Sequence, residues 1–363
     1  MTLAAQAIRL AVVDAGLTAG DIDGLLIAMS SVAPAERMNL SLAHRAGLRD
    51  LRLLSLVGGE GTSAVQAIQA AATAVTSGVA RAVVCVFSDT PIVDGRGCGA
   101  VFSGAGIFSS IEGLDAAYGA LGWVTAYALA ARRHLAQYGM TEEAFAGIVM
   151  AQRRWAQLNP QAMVRTPLTR DDYLASRWIV EPLRLADCAF PVNGAIAVIV
   201  VPGNMAASLK QPAVHIIGMG QGHPGGRPHT GLNLDGGGVP MARDLAFRMA
   251  GVSLEDIDAC QFYDPFSYVT LVRLEDYGFC CRGEGENFVA AGRTGPGGAL
   301  PANTGGGHLA SYLQGMTPVA EGVIQVRGHA GARQIARRNA VLVTGDGGVL
   351  DYHACLIISP RSV

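Results

Sequence analysis

The chain has 363 residues, half of them hydrophobic and 15% charged, with a formal charge of −2. That is enough apolar material for a large buried core and excludes a disordered chain. The near-neutral charge leaves no basic footprint for nucleic acid or an anionic membrane, and the length suits two halves of roughly 150–200 residues.

The N-terminal "MTLAAQAIRLAVVDAG" carries charge and an amphipathic period, unlike a signal peptide. Apolar runs such as "AVIVV" fall far short of a membrane span of ~20 residues. A cytoplasmic protein with no membrane or nucleic-acid partner is expected. The seven cysteines are scattered without a CxxC, which argues against a disulfide framework and against a zinc site.

In chain order, residues 7–27 ("AIRLAVVDAGLTAGDIDGLLI") read as an amphipathic helix, a glycine stop, a capped turn and a strand. The same order recurs at 242–262 ("ARDLAFRMAGVSLEDIDACQF"), with Asp21-Ile22-Asp23 echoed by Asp256-Ile257-Asp258. A glycine turn entering a helix follows in each copy: "GGEGTSAVQAIQAA" (58–71) and "NTGGGHLASYLQGM" (303–316). Buried strands come next, "ARAVVCVFSD" (80–89) matched to "RRNAVLVTGD" (337–346), and then "GAIAVIVVPG" (194–203) matched to "YHACLIISP" (352–360). Four matched elements in one order predict two copies of one α/β unit, residues 1–203 and 213–363. The second copy opens with an extra strand, "AVHIIGMG", so by analogy a strand is expected to precede the first helix of the first copy. An insertion at about 90–185 holds all three tryptophans and reads as a lid or binding wall.

Several chemistries fail on the residues. Gly220-Gln-Gly222-His-Pro-Gly225 follows a strand but leads into "HPGGRPHTGLNLDGGG", which cannot start the helix a dinucleotide site needs. The single lysine, Lys210, lies in a polar linker, a poor place for a Schiff base. The eight histidines show no ligand spacing that calls for a metal. More informative is "FYDPFSYVTLVRLEDYGF", which puts Tyr263 at the C-terminal edge of a strand, where α/β sheets hold their ligands. His308 and Tyr312, four apart in a glycine-led helix, are placed to face one pocket. As residues alone, all three read first as ordinary core side chains.

These motifs, with "PLRLADCAFPVNGAIAVIV" and the late "GDGG", resemble the thiolase superfamily over nearly the whole chain, and within it the sterol-carrier-type, thiolase-like lipid-transfer proteins. The resemblance implies a duplicated, five-layered αβαβα thiolase fold with a loop or lid insertion in the first half, a homodimer, and acyl-CoA thioesters as substrates. Coenzyme A would enter as part of the substrate, with no covalently bound cofactor and no metal. It also exposes a departure. The thiolase nucleophile pattern falls on Gly61-Thr62-Ser63, so glycine stands where the cysteine belongs; the second cysteine falls near Thr344, and no His-Pro follows the Asn303–Gly307 turn.

What remains compatible is a retro-aldolase of the kind that cleaves steroid side-chain β-hydroxyacyl-CoA, working with a partner that bears an OB-fold and a zinc ribbon. In that group a tyrosine replaces the histidine of the strand end, here Tyr263, and a second follows, here Tyr312. The alternatives are a non-catalytic acyl-CoA or lipid binder, or an acyltransferase subunit. On the aldolase reading Tyr263 and Tyr312 transfer protons, with His308 as a substitute. Gly61, Thr62, Ser63, Gly306, Gly307, Gly347 and Gly348 line the substrate with backbone amides. Gly61 is expected to leave room for a tertiary alcohol, and the phenols to have lowered pKa values.

Overall fold

The computed structural model describes residues 1–30, 39–95, 117–119, 122–224, 237–311 and 314–362. Two four-stranded sheets carry the fold. The first has the order β2-β1-β3-β6, with β1 (Gly24–Ala28), β2 (Leu53–Val57), β3 (Val83–Asp89) and β6 (Gly194–Val200); β4 (Trp178–Val180) and β5 (Leu183–Arg184) form a separate ribbon. The second has the order β7-β10-β9-β8, with β7 (His215–Gly222), β8 (Ala259–Gln261), β9 (Val341–Gly347) and β10 (Tyr352–Ser359).

The sheets repeat one connectivity. β1 and β3 are parallel and β3 and β6 antiparallel, as are β8 with β9 and β9 with β10. A parallel bridge from Cys260 to Ala302 stands where β2 stands in the first sheet. β7, which flanks β10, has no counterpart on the free edge of β6 among the described residues.

The repeated Asp-Ile-Asp explains how each sheet starts. Its second aspartate accepts backbone N–H groups from the entry of the neighbouring strand: Asp23 from Arg81 and Ala82, Asp258 from Asn339 and Ala340. These caps correct the strand alignment read from the sequence. They equate Ala82 with Ala340, and the ladders Gly24↔Val83 and Ala259↔Val341 equate Val83 with Val341. The sequence match was one residue out of register, and in a strand a one-residue slip exchanges the two faces. Asp89 therefore corresponds to Gly347, not to Asp346.

Alternation along the strands separates three cores. Val83, Cys85 and Phe87 of β3 share a cluster with Val341 and Val343 of β9, with α3 (Ser63–Thr76) and with Met316 and Val319 at the start of Thr317–Arg327. That is the central layer, between the sheets. Val84 and Val86 point the other way, onto α1 (Thr2–Ala15) and α2 (Asn39–Ala46). The outer face of the second sheet buries Leu342 and Ile357. It does so beneath α6 (Val239–Ala250) and α7 (Ser267–Tyr277). With α8 (Thr317–Arg327) beside α3 the sandwich has the five layers αβαβα.

The insertion is a wall. Its helices α4 (Gly122–Tyr138) and α5 (Ala144–Leu158) bury Tyr127, Ala131, Phe145, Ile148 and Val149 in the same core as Phe262, Tyr268 and Leu271 of the second half. Asp187 fastens this wall: its carboxylate accepts from Tyr173, Ser267 and the Arg184 amide. Burial still pushes its carboxyl up to about 6, against the lowering effect of those donors.

Two outcomes follow from these nodes. Asp258→Ala strips the acceptor from two amides and should cost about 1–3 kcal/mol in a denaturant melt. For Asp187, the folded carboxyl titrates at about 6 against an ordinary 3.8, so the fold binds its proton more tightly than the unfolded chain does. The stability this supplies is complete below about pH 4 and lost as the pH rises through 6. The stability difference between the parent protein and Asp187→Asn should therefore fall across that window.

Candidate active site

The site lies where the C-terminal ends of β3, β8 and β9 meet the glycine turn ahead of α3. That turn is a short 3-10 helix, Glu60–Thr62, entered through Gly59 at a φ of 136°. Its amides are largely spent. Thr62 donates both its N–H and its hydroxyl to the Gly59 carbonyl, and the Ser63 amide donates to that of Glu60. The Ser63 hydroxyl ties the turn to the Met29 carbonyl at the end of β1 (3.0 Å). Of Gly61, Thr62 and Ser63, the three expected substrate-lining residues in this turn, only Gly61 has an amide with no acceptor among the described residues.

Gly61 is glycine because nothing else fits. A Cβ there would stand 2.0 Å from the carbonyl oxygen of Asp346 and 2.5 Å from Cε1 and Cζ of Tyr263. The room that the sequence reading reserved for a tertiary alcohol is filled by the Tyr263 ring. The missing thiol and the tyrosine are thus two sides of one steric exchange.

Tyr263 follows β8 by two residues, as the strand-edge reading expected, and is 8% exposed. Its N–H donates to the Thr344 hydroxyl on β9 (3.2 Å). Its ring meets that of His308 edge-on at 4.8 Å. The expected lowering of its pKa is not found: burial, then the carboxylates of Glu60, Asp89, Asp346 and Asp264, push the phenol above its ordinary value. A phenol raised in this way favours its protonated form.

His308 is 1% exposed and locked to Asp264. Its Nδ1 accepts the Asp264 amide at 3.1 Å and lies 2.9 Å from the carboxylate, which in turn accepts the His308 amide. Its Nε2 has no partner among the described residues. The helix that carries it, Gly307–Ala310, has its C-cap at Ser311. Tyr312 itself lies outside the described residues, as does Gly225 of the glycine pattern after β7.

The remaining glycines are close-contact points. A Cβ on Gly306 would meet Ala156 of α5 at 2.8 Å, and one on Gly307 would meet Asp264 and Gln152 at 2.4 and 2.5 Å. A Cβ on Gly347 would stand 2.7 Å from the Gly59 carbonyl, and the Gly348 amide is taken by the Glu60 carboxylate. Gly348 is therefore not a free donor.

Sequence reasoning missed Glu60, which adopts a φ of 52° to reach that amide, and the charged support behind β9. Fully buried Arg273 pairs with Asp346 and Asp276, and the Asp346 carboxylate also holds His353 at 2.8 Å. This clamp fixes the strand whose Asp346 carbonyl abuts Gly61. It also missed Asp89, last residue of β3 and 4% exposed, whose alignment with Asp346 hid its distinct setting. Among the described residues no group of three or more His, Cys, Asp or Glu is arranged to hold a metal, and no helix is long and apolar enough to cross a membrane.

Comparison with known proteins agrees with this geometry. A family model described as thiolase C-terminal domain-like matches residues 229–360. A steroid side-chain-cleaving aldolase of Thermomonospora curvata is 34% identical, the match covering 96% of this chain and 90% of that protein. A 17-hydroxy-3-oxo-4-pregnene-20-carboxyl-CoA lyase of Mycobacterium tuberculosis is also 34% identical, over 96% and 92%. The solved Ltp2-ChsH2(DUF35) aldolase superposes with a TM-score of 0.85 at 31% identity, covering 99% of this chain and 93% of that one. With 34% identity sustained across almost its whole length, the chain belongs to the thiolase superfamily, in the family of the steroid side-chain-cleaving aldolases.

Proposed function

We propose that this protein is an aldolase that splits a β-hydroxyacyl-CoA, bearing a tertiary β-hydroxyl on a steroid side chain, into a ketone and a shorter acyl-CoA. The observation that carries the reading is the Tyr263 ring in the space a nucleophilic side chain at position 61 would need. A retro-aldol cleavage forms no acyl-enzyme, so it loses nothing by that exchange. A Claisen thiolase would lose its nucleophile.

The reaction needs a base for the hydroxyl proton, a polar setting for the thioester enolate and an acid for its α-carbon. As the hydroxyl proton leaves, the C–C bond breaks, the ketone forms and the electron pair passes into the thioester. The enolate then takes a proton at its α-carbon. Tyr263 fits the acid role, since its buried setting among carboxylates keeps the phenol protonated. The Gly61 amide, at the positive end of α3, is placed to meet the thioester oxygen. Tyr312 stays in the proposal as a second hydroxyl of the site.

The relatives' names support a CoA thioester as substrate, and the Ltp2-ChsH2(DUF35) structure supports a DUF35-type partner, which fits the OB-fold and zinc-ribbon protein expected from the sequence. Assembly as a homodimer and residence in the cytoplasm belong to the same proposal. The competing reading, a non-catalytic acyl-CoA binder, predicts thioester binding without ketone release.

Tyr263→Phe keeps the ring and removes the proton, so turnover with a steroid β-hydroxyacyl-CoA should fall about 10²–10⁴-fold with the melting temperature retained; unchanged turnover removes the acid assignment. Gly61→Cys should not restore acyl transfer between CoA molecules. Its side chain overlaps Tyr263 and Asp346, and the strain should lower stability by about 1–3 kcal/mol in a chemical melt.

A further inference from the structure

We propose that Tyr127, carried by the insertion helix α4, is a positioning residue of the reaction: it sets the place of the Gly61 amide and of the Tyr263 ring, the two groups that meet at the site. The inference rests on the aldolase reading and adds to that site a residue from the insertion.

The buried stripe of α4 runs Tyr127, Ala131 and Leu135, at helical spacing, against the second half. Tyr127 is the first of its buried residues, and alanines beyond it let the helix lie close. At 3% exposure its hydroxyl donates to the Gly348 carbonyl at 2.6 Å. Any buried tyrosine hydroxyl needs such an acceptor. What singles Tyr127 out is the residue that supplies it.

Gly348 is held from the other side as well, its N–H donating to the Glu60 carboxylate. Both backbone groups of one glycine are thus gripped by side chains, one from the insertion and one from the turn ahead of α3. Gly348 has a φ of 62°, and a Cβ there would meet the Asp351 carboxylate at 2.8 Å, so no other residue suits the position. Gly347 lies against the same turn: a Cβ on it would stand 3.3 Å from the Gly61 nitrogen. The end of β9 and the Gly61 turn form one layer, and Tyr127 fastens that layer to the insertion.

The ring of Tyr127 makes a second contact. It lies 4.8 Å from the Phe266 ring, tilted by 45°. Phe266 closes the Tyr263-Asp264-Pro265-Phe266 segment, caps α7 and bridges Cys188 through its backbone. Pro265 stiffens the segment, so a displacement at Phe266 is passed back to Tyr263. One side chain therefore touches two of the three walls around Gly61, and reaches the third, the Glu60–Thr62 turn, through Gly348.

Tyr127 does not itself suit proton transfer. Its hydroxyl is spent on Gly348, and burial, then Asp346 and Tyr263, hold its phenol well above the ordinary value. Its part is geometric. A donor such as the Gly61 amide acts where charge develops, and a misplacement of about 1 Å costs up to about 10² in rate.

The test measures ketone release from a CoA thioester carrying a tertiary β-hydroxyl on a steroid side chain, with the protein in complex with its partner. Tyr127→Phe keeps the ring on Phe266 and drops the grip on Gly348, so kcat should fall about 10–100-fold with KM little changed and the protein still folded in a thermal melt. Glu60→Ala releases the same glycine from the other side and should lower kcat to a similar degree. Because both act through Gly348, the double variant should lose little beyond the worse single one, whereas independent losses multiply. A purely structural role would shift the melting temperature without this coupling in kcat. Wild-type kcat in Tyr127→Phe overturns the proposal, as do multiplied losses in a folded double variant. Should Tyr127→Phe not fold, Glu60→Ala carries the test, and wild-type kcat there overturns the route through Gly348. If the unaltered protein releases no ketone, the aldolase reading fails and takes this inference with it; if it does and these variants match it, the aldolase reading stands and the inference alone falls.

Discussion

At the centre of the molecule a backbone carbonyl and an aromatic ring compete for the space beside one α-carbon. The Asp346 oxygen and the Tyr263 ring both press on Gly61 so closely that no side chain fits between them. The rest of the site follows from that contact. A turn that would otherwise present a nucleophile is sealed by a phenol, and the phenol is drawn into a dry setting among carboxylates. There the cost of charging it keeps the proton in place. The same atoms leave no room for a nucleophilic side chain at position 61.

Such a contact holds only if its walls are rigid. On one side the Arg273–Asp346–His353 clamp fixes β9 through charges that are fully buried and mutually paired. On the other, Asn303 accepts the Phe262 amide at 2.7 Å, and Thr344 receives that of Tyr263, so the segment after β8 is pinned residue by residue. Removing one member of such a buried ion pair strands the other, which is why clamps of this kind define a single arrangement more than they add to net stability. The insertion helices α4 and α5 complete the enclosure from outside, and α5 brings Ala156 and Gln152 against the Gly306–Gly307 turn.

Much of this was legible in the chain. The repeated Asp-Ile-Asp marked the duplication because the second aspartate has the same structural task in both copies. Tyr263 was legible because Asp-Pro stops a strand and so places the preceding residue at the sheet edge. Other features depend on backbone detail that residue types do not announce. Glu60 reaches Gly348 only through a positive φ, uncommon for a glutamate. Asp89 and Asp346 look alike by sequence, each closing a β-rich run, and only the ladder register separates them onto opposite faces. The neighbours of Gly61 come from residues two hundred and more positions away, so composition could not tell an open space from a filled one.

A single measurement bears most directly on the exchange of thiol for phenol: mass analysis of products and protein after turnover in deuterated water, with a steroid side-chain β-hydroxyacyl-CoA as substrate. Proton transfer from an exchangeable phenol predicts one solvent deuterium at the α-carbon of the released acyl-CoA, together with free ketone and unmodified protein. An acyl group carried on the protein, or passed to added coenzyme A without ketone formation, would contradict the account.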